Sequence, residues 1–232
     1  MTLRLDALVH TYTAPSGEQH TVLHIPAWEA YAGAQILLRG VSGSGKTTLF
    51  NIIAGLMRPT SGTVWHGDQA LYALPEARRD QFRARNIGYV FQTHHLIPSL
   101  TALENVIMPL AFARVLPQRS WQRRATELLT QVGLAGHIQY RPHQLSTGQR
   151  LRIAVARALA NTPRVLLADE PTAALDTESG ALVMDLLQRI CHESNAVLLV
   201  ASHDPALMTR FETVVDLQGG LLSATLSHAE IG

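Results

Sequence analysis

Charged residues are scarce in this chain. They make up 16% of its 232 residues, against about 25% in an average soluble protein. Nineteen basic and eighteen acidic side chains leave a formal net charge of +1, which gives no electrostatic basis for binding nucleic acid or an anionic lipid surface. We therefore expect no nucleic-acid partner, and we expect another protein to cover part of the sparsely charged surface.

Cysteines and long apolar runs are also nearly absent. Cys191 is the single cysteine, so an internal disulfide is excluded and a reducing cytosol is favoured. Its apolar helical surroundings predict that it is a small buried hydrophobic residue. The longest apolar run, from Val106 to Leu116, contains Pro109 and Arg114 and falls short of the ~18 apolar residues that span a membrane. The N-terminal residues lack the apolar segment of a signal peptide, so we expect a soluble or peripheral protein.

A glycine-rich segment carries the clearest motif. It fits G-x-x-x-x-G-K-[ST] from Gly40 to Thr47, between an apolar strand pattern and an amphipathic helix pattern. Its curled backbone and the helix start would bind phosphates, with Lys46 reaching the β- and γ-phosphates and Thr47 binding Mg²⁺. A flexible turn is the alternative, and the strand and helix on either side argue against it. The apolar helix face is Leu49, Ile52, Ile53 and Leu56, and the candidate phosphate-binding residues are Gly40, Val41, Ser42, Gly43, Ser44, Gly45, Lys46, Thr47 and Thr48.

Polar side chains stand where later apolar strand patterns end. They are Gln92, the pair Asp169 and Glu170, and His203. Ligands of α/β sheets bind at the carboxyl ends of strands. Asp169 would hold Mg²⁺ through water, Glu170 would polarise an attacking water, and His203 would contact the γ-phosphate. Taken singly, each has an ordinary alternative: an uninformative glutamine, a solvated acidic turn, and a structural histidine.

Two helix starts and one aromatic residue complete the candidates. Ser146 is a natural N-cap, and the N–H groups of Thr147 and Gly148 would form a second anion-attracting helix start. Asp176 is positioned to cap the next helix. Tyr12 lies just past the first strand pattern, where its ring would either pack or offer a flat platform for a base.

The order of the patterns predicts an α/β fold, with a P-loop NTPase core built on a mostly parallel sheet. An alternating N-terminal segment and residues 21–25 predict an antiparallel β subdomain. Prolines punctuate helical patterns in residues 93–145, which predicts an inserted helical subdomain between core segments 1–92 and 146–232. The His94-His95 pair lacks further ligands at metal-binding spacing, so it predicts a solvated loop. The alternating apolar face is Leu3, Leu5, Ala7 and Val9.

Together, and in this order, the motifs resemble the nucleotide-binding subunit of an ATP-binding cassette (ABC) transporter along essentially the whole chain. The resemblance implies an ATPase that uses ATP and Mg²⁺. It implies that Tyr12 stacks on adenine and that residues 40–48 bind the phosphates. The residues it implies in catalysis are Glu170, His203 and Gln92, and those in Mg²⁺ binding are Thr47, Gln92 and Asp169.

The resemblance also implies partners. Ser146 to Gln149 match the signature that completes the site of an opposite subunit, and Asp176 matches the turn that bridges two sites, which implies a homodimer around two ATP molecules. Integral membrane permease subunits would bind through the helical subdomain, by way of Gln92 to Glu104, at the cytoplasmic face of the membrane. That segment and residues 168–176 look like those of lipoprotein-releasing and macrolide-export ATPases.

Three positions depart from the family pattern. Thr147 stands where glycine is usual, which adds a hydroxyl beside the partner's γ-phosphate, and Ala173 replaces a common serine. Arg39 takes the last strand position before the phosphate loop, where an apolar residue is usual. Because an unpaired buried charge is costly, we predict that Arg39 finds a carboxylate or emerges from the core.

Two other functions are compatible with these motifs. One is a regulatory subunit that uses ATP-dependent dimerisation to signal through a membrane partner without moving cargo. The other is a soluble ABC protein of DNA repair or translation, which the single cassette, the lack of coiled-coil heptads and the balanced charge disfavour.

Overall fold

The computed structural model describes residues 2–173 and 175–225. The predicted domain of residues 1–232 therefore includes Met1, Ala174 and residues 226–232, which lie outside the described residues. Across the described ranges, no helix combines the length and the apolar character that crossing a membrane requires.

The N-terminal sheet is antiparallel, as predicted. Its strand order is β2-β1-β4-β5, and β1 lies between β2 and β4. A broad, half-covered sheet forms here because apolar and polar residues alternate along its strands. The strands are β1 Leu3–Thr13, β2 Gln19–Ala30, β4 Ser61–His66 and β5 Gln69–Ala70.

The predicted apolar face of β1 is wrong beyond Leu5. Ala7 has φ +46, and the pairing of β1 with β4 shifts between Asp6 and Val9. This bulge inserts one residue and reverses the inward face, so that Leu8 is buried in place of Ala7 and Val9. Opposite the bulge, a Cβ on Gly62 would lie 2.2 Å from the Ala7 carbonyl oxygen. Only glycine, which has no Cβ, fits at this position without that clash.

The second sheet is mostly parallel and carries the loops of interest. Its order is β10-β9-β3-β8-β7-β6, with parallel neighbours except for the antiparallel pair of β9 and β10. The carboxyl ends of β3, β6, β7 and β8 therefore share one edge. The strands are β3 Gln35–Arg39, β6 Ile87–Val90, β7 Val165–Asp169, β8 Val197–Ala201, β9 Thr213–Gln218 and β10 Leu221–Thr225.

Within residues 2–173 and 175–225, six α-helices cover the second sheet and extend from it. Alternate strand residues face opposite cores: Leu198 and Val200 pack with the cluster of α3 to α6, whereas Leu199 packs with the cluster that includes α1 and the N-terminal sheet. This doubly buried sheet explains the uninterrupted apolar runs of its central strands. The helices are α1 Lys46–Ile53, α2 Glu76–Asn86, α3 Ala102–Ala113, α4 Trp121–Gln131, α5 Thr147–Ala158 and α6 Thr177–Glu193.

Residues 93–145 contain α3 and α4, and these helices pack against α5 in a single apolar cluster. Thr101 and Glu104 form a capping box at the start of α3, which continues through Pro109. The helical content agrees with the prediction, while the subdomain boundary at residue 145 stays a prediction.

Two local predictions are wrong. The loop of His94 and His95 is not simply solvated, since His94 is buried and both residues have positive φ, at +65 and +47. Arg157 of α5 donates to the carbonyl oxygens of both, each at 2.6 Å, and draws the loop inward. Leu56 is not on the buried face of α1, because α1 ends at Ile53 and Leu56 is 47% exposed beyond it.

Candidate functional site

The loop between β3 and α1 has the conformation of a phosphate cradle. Gly45 precedes α1 with φ +102 and no side-chain cap, and no acidic residue lies in the first turn of this helix. The helix start thus leaves its N–H groups available to an anion. Lys46 is buried beside it, with Nζ donating to the carbonyl oxygens of Gly40 at 2.6 Å and Val41 at 3.0 Å. A Cβ on Gly45 would lie 2.8 Å from Val22 Cγ1, so the N-terminal sheet presses directly on the loop.

An oxygen-rich cluster lies next to the cradle. The Thr47 hydroxyl in α1 donates, at 2.7 Å, to Oδ2 of Asp169, which is the last residue of β7. Burial raises the pKa of the Asp169 carboxyl, the Thr47 hydrogen bond lowers it, the neighbouring Glu170 raises it further and Lys46 lowers it. Hydroxyl, carboxylate and amide oxygens are the ligands that Mg²⁺ prefers, and Gln92 lines the same cleft. The donor set therefore fits this cation.

Glu170 is held at the end of β7 in an unusual conformation. Its φ is +50, and its N–H donates to the Ala201 carbonyl oxygen at 2.9 Å. One carboxylate oxygen, Oε1, lies 2.7 Å from His203 Nδ1. The other, Oε2, accepts from the Ser202 hydroxyl at 3.0 Å. A left-handed residue held by three partners is typical of a site whose geometry is fixed for function.

Tyr12 flanks the far end of the cleft. The residue is 42% exposed, and its hydroxyl lies 3.1 Å from Thr48 Oγ1 in α1. His10 packs edge-on against it, with ring centroids 4.7 Å apart. The ring is thus tied to the phosphate loop helix while part of it stays open to a ligand.

One cleft of about 510 Å³ collects most of the predicted residues. Val22 also lines it and was missed by sequence reasoning, because nothing local in β2 indicates that the phosphate loop packs there. Gly40 and Ser44 lie within the loop instead, where a Cβ on Gly40 would lie 2.6 Å from Ser44 Oγ. The lining is Tyr12, Val22, Val41, Ser42, Gly43, Gly45, Lys46, Thr47, Thr48, Gln92, Asp169, Glu170 and His203.

The second helix start lies elsewhere. Among the described residues that line the cleft, none belongs to Ser146 to Gln149, and Asp176 is not one of them. Ser146 caps α5 as predicted, in a capping box with Gln149, and the Thr147 hydroxyl accepts from Arg150 Nη2 at 3.0 Å. Ser146 and Thr147 are exposed, so both can be reached from outside.

The nearby helix α6 also starts as predicted. Asp176 accepts from the Ser179 N–H at 2.9 Å. This hydrogen bond is the main cause that holds the pKa of the Asp176 carboxyl below its ordinary value. The exposed carboxylate at this helix start is therefore charged at neutral pH.

The prediction for Arg39 is confirmed. Its guanidinium makes two hydrogen bonds to the Asp216 carboxylate of β9, Nε to Oδ1 at 2.5 Å and Nη2 to Oδ2 at 2.8 Å. The Arg39 side chain is 37% exposed and that of Asp216 25%. The charge that departs from the usual pattern is therefore both paired and partly solvated.

Comparisons with known proteins identify related sequences. The family model described as "ABC transporter" matches residues 23–173. The lipoprotein-releasing system ATP-binding protein LolD of Pseudomonas fluorescens is 42% identical over 196 residues, covering 84% of this chain and 86% of the relative. LolD of Paramagnetospirillum magneticum is 45% identical over 194 residues, with 84% and 85% covered.

A solved structure shows that the similarity also holds in three dimensions. The ATP-binding cassette MJ0796, as a dimer in a post-hydrolysis state with ADP and phosphate, superposes with a TM-score of 0.91 at 35% identity. The match covers 97% of this chain and 98% of that one. Fold and sequence therefore point to the same family.

Proposed function

Since the chain belongs to the ABC transporter family and is an ATPase of that family, we propose that it drives a lipoprotein-releasing or related export system. The observation that carries this proposal is the single cleft that brings the Lys46 cradle, the Thr47–Asp169 pair and the Glu170–His203 pair together. The assignment to lipoprotein release rests on the names of the LolD relatives.

ATP would lie along the cleft with its base on Tyr12 and its phosphates in the loop of residues 40–48. The α1 N-terminus and Lys46 bring positive charge to the same point, which the phosphates require. The partial exposure of Tyr12 and its bond to Thr48 support a fixed platform at the correct end of the loop.

Mg²⁺ would be held by Thr47 and Asp169, with Gln92 as a further ligand. When bound, the cation neutralises charge on the β- and γ-phosphate oxygens. The direct hydrogen bond between Thr47 and Asp169 supports this assignment, because it places two oxygen ligands side by side.

Glu170 would act on the attacking water. The water oxygen forms a bond to the γ-phosphorus, the bond from that phosphorus to the β,γ-bridging oxygen breaks, and a Glu170 oxygen accepts the proton. The products are ADP and phosphate. His203 would contact the γ-phosphate, which its exposed ring is free to reach.

A second copy of the chain would complete the site. Ser146 to Gln149 do not line this chain's own cleft among its described residues, yet they form a capped, exposed helix start suited to phosphate. The dimeric state of the cassette with ADP and phosphate supports the pairing of two copies. We propose that they pair head to tail, so that each α5 start faces the other copy's nucleotide. Asp176 would lie between the two sites.

A permease subunit would dock beside Gln92. A groove of about 290 Å³ runs between α2, β6, α3 and α5, and it is lined by Phe91, His95 and Met108. Leu56, which also lines the groove, is 47% exposed, and Phe112 of α3 is 60% exposed. Apolar exposure of this kind supports a protein partner, and this attachment would hold the subunit at the cytoplasmic face of the membrane.

ATP hydrolysis by the purified chain and two variants tests the site. We expect Lys46→Ala to abolish productive ATP binding, and Glu170→Gln to bind ATP but lower turnover by about 100-fold or more. Glu193→Gln, at an exposed position of α6, is the matched control and should match the wild type. Unchanged turnover of Glu170→Gln would refute the assigned role of this carboxylate.

Coupling is tested in membranes that contain the partner. ATP turnover and release of a membrane-anchored lipoprotein are measured together. Release that follows turnover supports the export assignment. Turnover without movement of any cargo would instead favour the regulatory subunit.

A further inference from the structure

Ser202 occupies a buried position between β8 and the exposed His203. The whole residue is 1% exposed, and its N–H donates to the Leu38 carbonyl oxygen at 3.2 Å. Its hydroxyl oxygen accepts from the Asp204 N–H at 3.1 Å. With the backbone fixed and the oxygen already accepting one bond, the hydroxyl proton is directed to its remaining neighbour, Glu170 Oε2.

The two oxygens of the Glu170 carboxylate have partners of different character. His203, the partner of Oε1, has a side chain that is 73% exposed. Ser202, the partner of Oε2, is enclosed and short. A long exposed side chain exchanges partners at small cost, whereas a buried hydroxyl that leaves its acceptor loses a bond that nothing replaces.

We propose that Ser202 is the positioning residue that keeps the Glu170 carboxylate aimed at the attacking water while His203 turns to the γ-phosphate. This inference rests on the proposed function and deepens it. Once His203 has moved, Oε2 remains bonded to Ser202 and the carboxylate cannot rotate freely about its last torsion.

The end of β8 thereby holds Glu170 at two points. The Ala201 carbonyl oxygen binds the Glu170 N–H at 2.9 Å, and the next residue binds the side chain. The φ of +50 at Glu170 is what allows backbone and carboxylate to turn toward the same neighbouring strand. An error in the direction of a reacting group slows chemistry with little effect on substrate binding.

Steady-state ATP hydrolysis by the full chain tests this role. We expect Ser202→Ala to lower kcat roughly 10- to 100-fold, with KM for ATP within about twofold because no phosphate contact is removed. Ser202→Thr keeps the hydroxyl and should restore most of the rate. Ser194→Ala, which removes a hydroxyl bonded to a backbone carbonyl at an exposed end of α6, should equal the wild type.

Rates are expressed per ATP-binding site, counted by fluorescent-nucleotide titration, so that a partly unfolded variant remains informative. Single-turnover rates are also compared in the Glu170→Gln background, where Ser202→Ala should have no further effect. A wild-type kcat for Ser202→Ala, no rescue by threonine, or an equal loss in the Glu170→Gln background would each overturn the inference.

The two proposals fail in different ways. If Glu170→Gln hydrolyses ATP at the wild-type rate, the assigned chemistry itself is wrong. If Glu170→Gln is slow and Ser202→Ala is fast, the chemistry stands and only the role of Ser202 is refuted.

Discussion

The protonation state of a side chain in this protein depends on its surroundings as well as on its residue type. His66 illustrates this, since it is 2% exposed in β4 and its Nε2 lies 3.0 Å from the Ile53 carbonyl oxygen at the end of α1. Because the carbonyl can only accept, Nε2 carries the proton of a neutral ring. Burial lowers the pKa of His66 to about 4, against the smaller opposing effect of the Ile53 hydrogen bond.

This shift predicts a loss of stability in mild acid. The unfolded chain binds a proton at His66 near pH 6.5, while the folded chain resists protonation down to about pH 4. Stability from the neutral ring is therefore present above pH 6.5 and falls between pH 6.5 and 4, by about 3 kcal/mol in the free energy of unfolding. Urea unfolding at pH 7, 5.5 and 4 measures it.

Comparing the wild type with His66→Gln separates the contribution of His66 from that of carboxylates that titrate over the same pH range. The variant should lose less stability than the wild type over this pH range, whatever its stability at pH 7. His20→Gln, at an exposed position, should lose as much as the wild type. Parallel pH profiles for His66→Gln and the wild type would contradict the prediction.

Among the elements, the loop after β6 is held by a helix that is distant in sequence. His94 and His95 both adopt left-handed backbone conformations, which are costly for residues other than glycine. The Arg157 guanidinium of α5 offsets that cost by donating to both carbonyl oxygens. The loop that carries Gln92 is therefore fixed to the helix that begins at Thr147.

We predict that Arg157→Lys destabilises this attachment. An ammonium cannot reproduce the planar fork that reaches two carbonyls at once, so unfolding in urea should show a loss of about 1 to 3 kcal/mol. Arg123→Lys is the matched control, since the Arg123 side chain is 82% exposed beside Glu127, and its effect should stay within about 0.5 kcal/mol. Equal losses in both variants would argue against the attachment.

The same elements show what sequence can and cannot predict. The phosphate loop, the Ser146 and Asp176 caps and the strand ends were predictable, because each depends on a few consecutive residues. The bulge at Ala7 and the burial of His94 were not, since they depend on Gly62 and Arg157 far along the chain. The hydrogen bond from the Ser202 hydroxyl to Glu170 was likewise not predictable, because it forms only when β7 and β8 lie side by side.

At the scale of the whole molecule, the segment Ser146 to Gln149 is separate from the cleft. This separation predicts that ATP binding and dimerisation can be lost independently. Thr147→Glu adds an acid to the first turn of α5, where it favours the helix but, in the proposed dimer, would repel the phosphates of a second copy's ATP. We expect unchanged ATP affinity of the monomer and loss of the ATP-dependent dimer, measured by light scattering in the Glu170→Gln background.

Two further variants interpret that result. Gln122→Glu places an acid in the first turn of α4, on another exposed surface, and should leave the dimer intact. Lys46→Ala should lose both ATP binding and dimerisation. An intact dimer of Thr147→Glu would mean that α5 does not face the second nucleotide.

The ion pair between Arg39 and Asp216 also bears on how the site comes into being. Its partners are 177 residues apart in sequence, and β3, which ends at Arg39, is flanked by β8 and β9. During synthesis, β3 and the loop that follows it leave the ribosome before both strands that support them, since β8 and β9 begin at Val197 and Thr213. Such long-range pairing forms late in folding. The proposed nucleotide-binding loop is therefore synthesised well before β8 and β9, and β3 gains both of its neighbours only after β9 has been made.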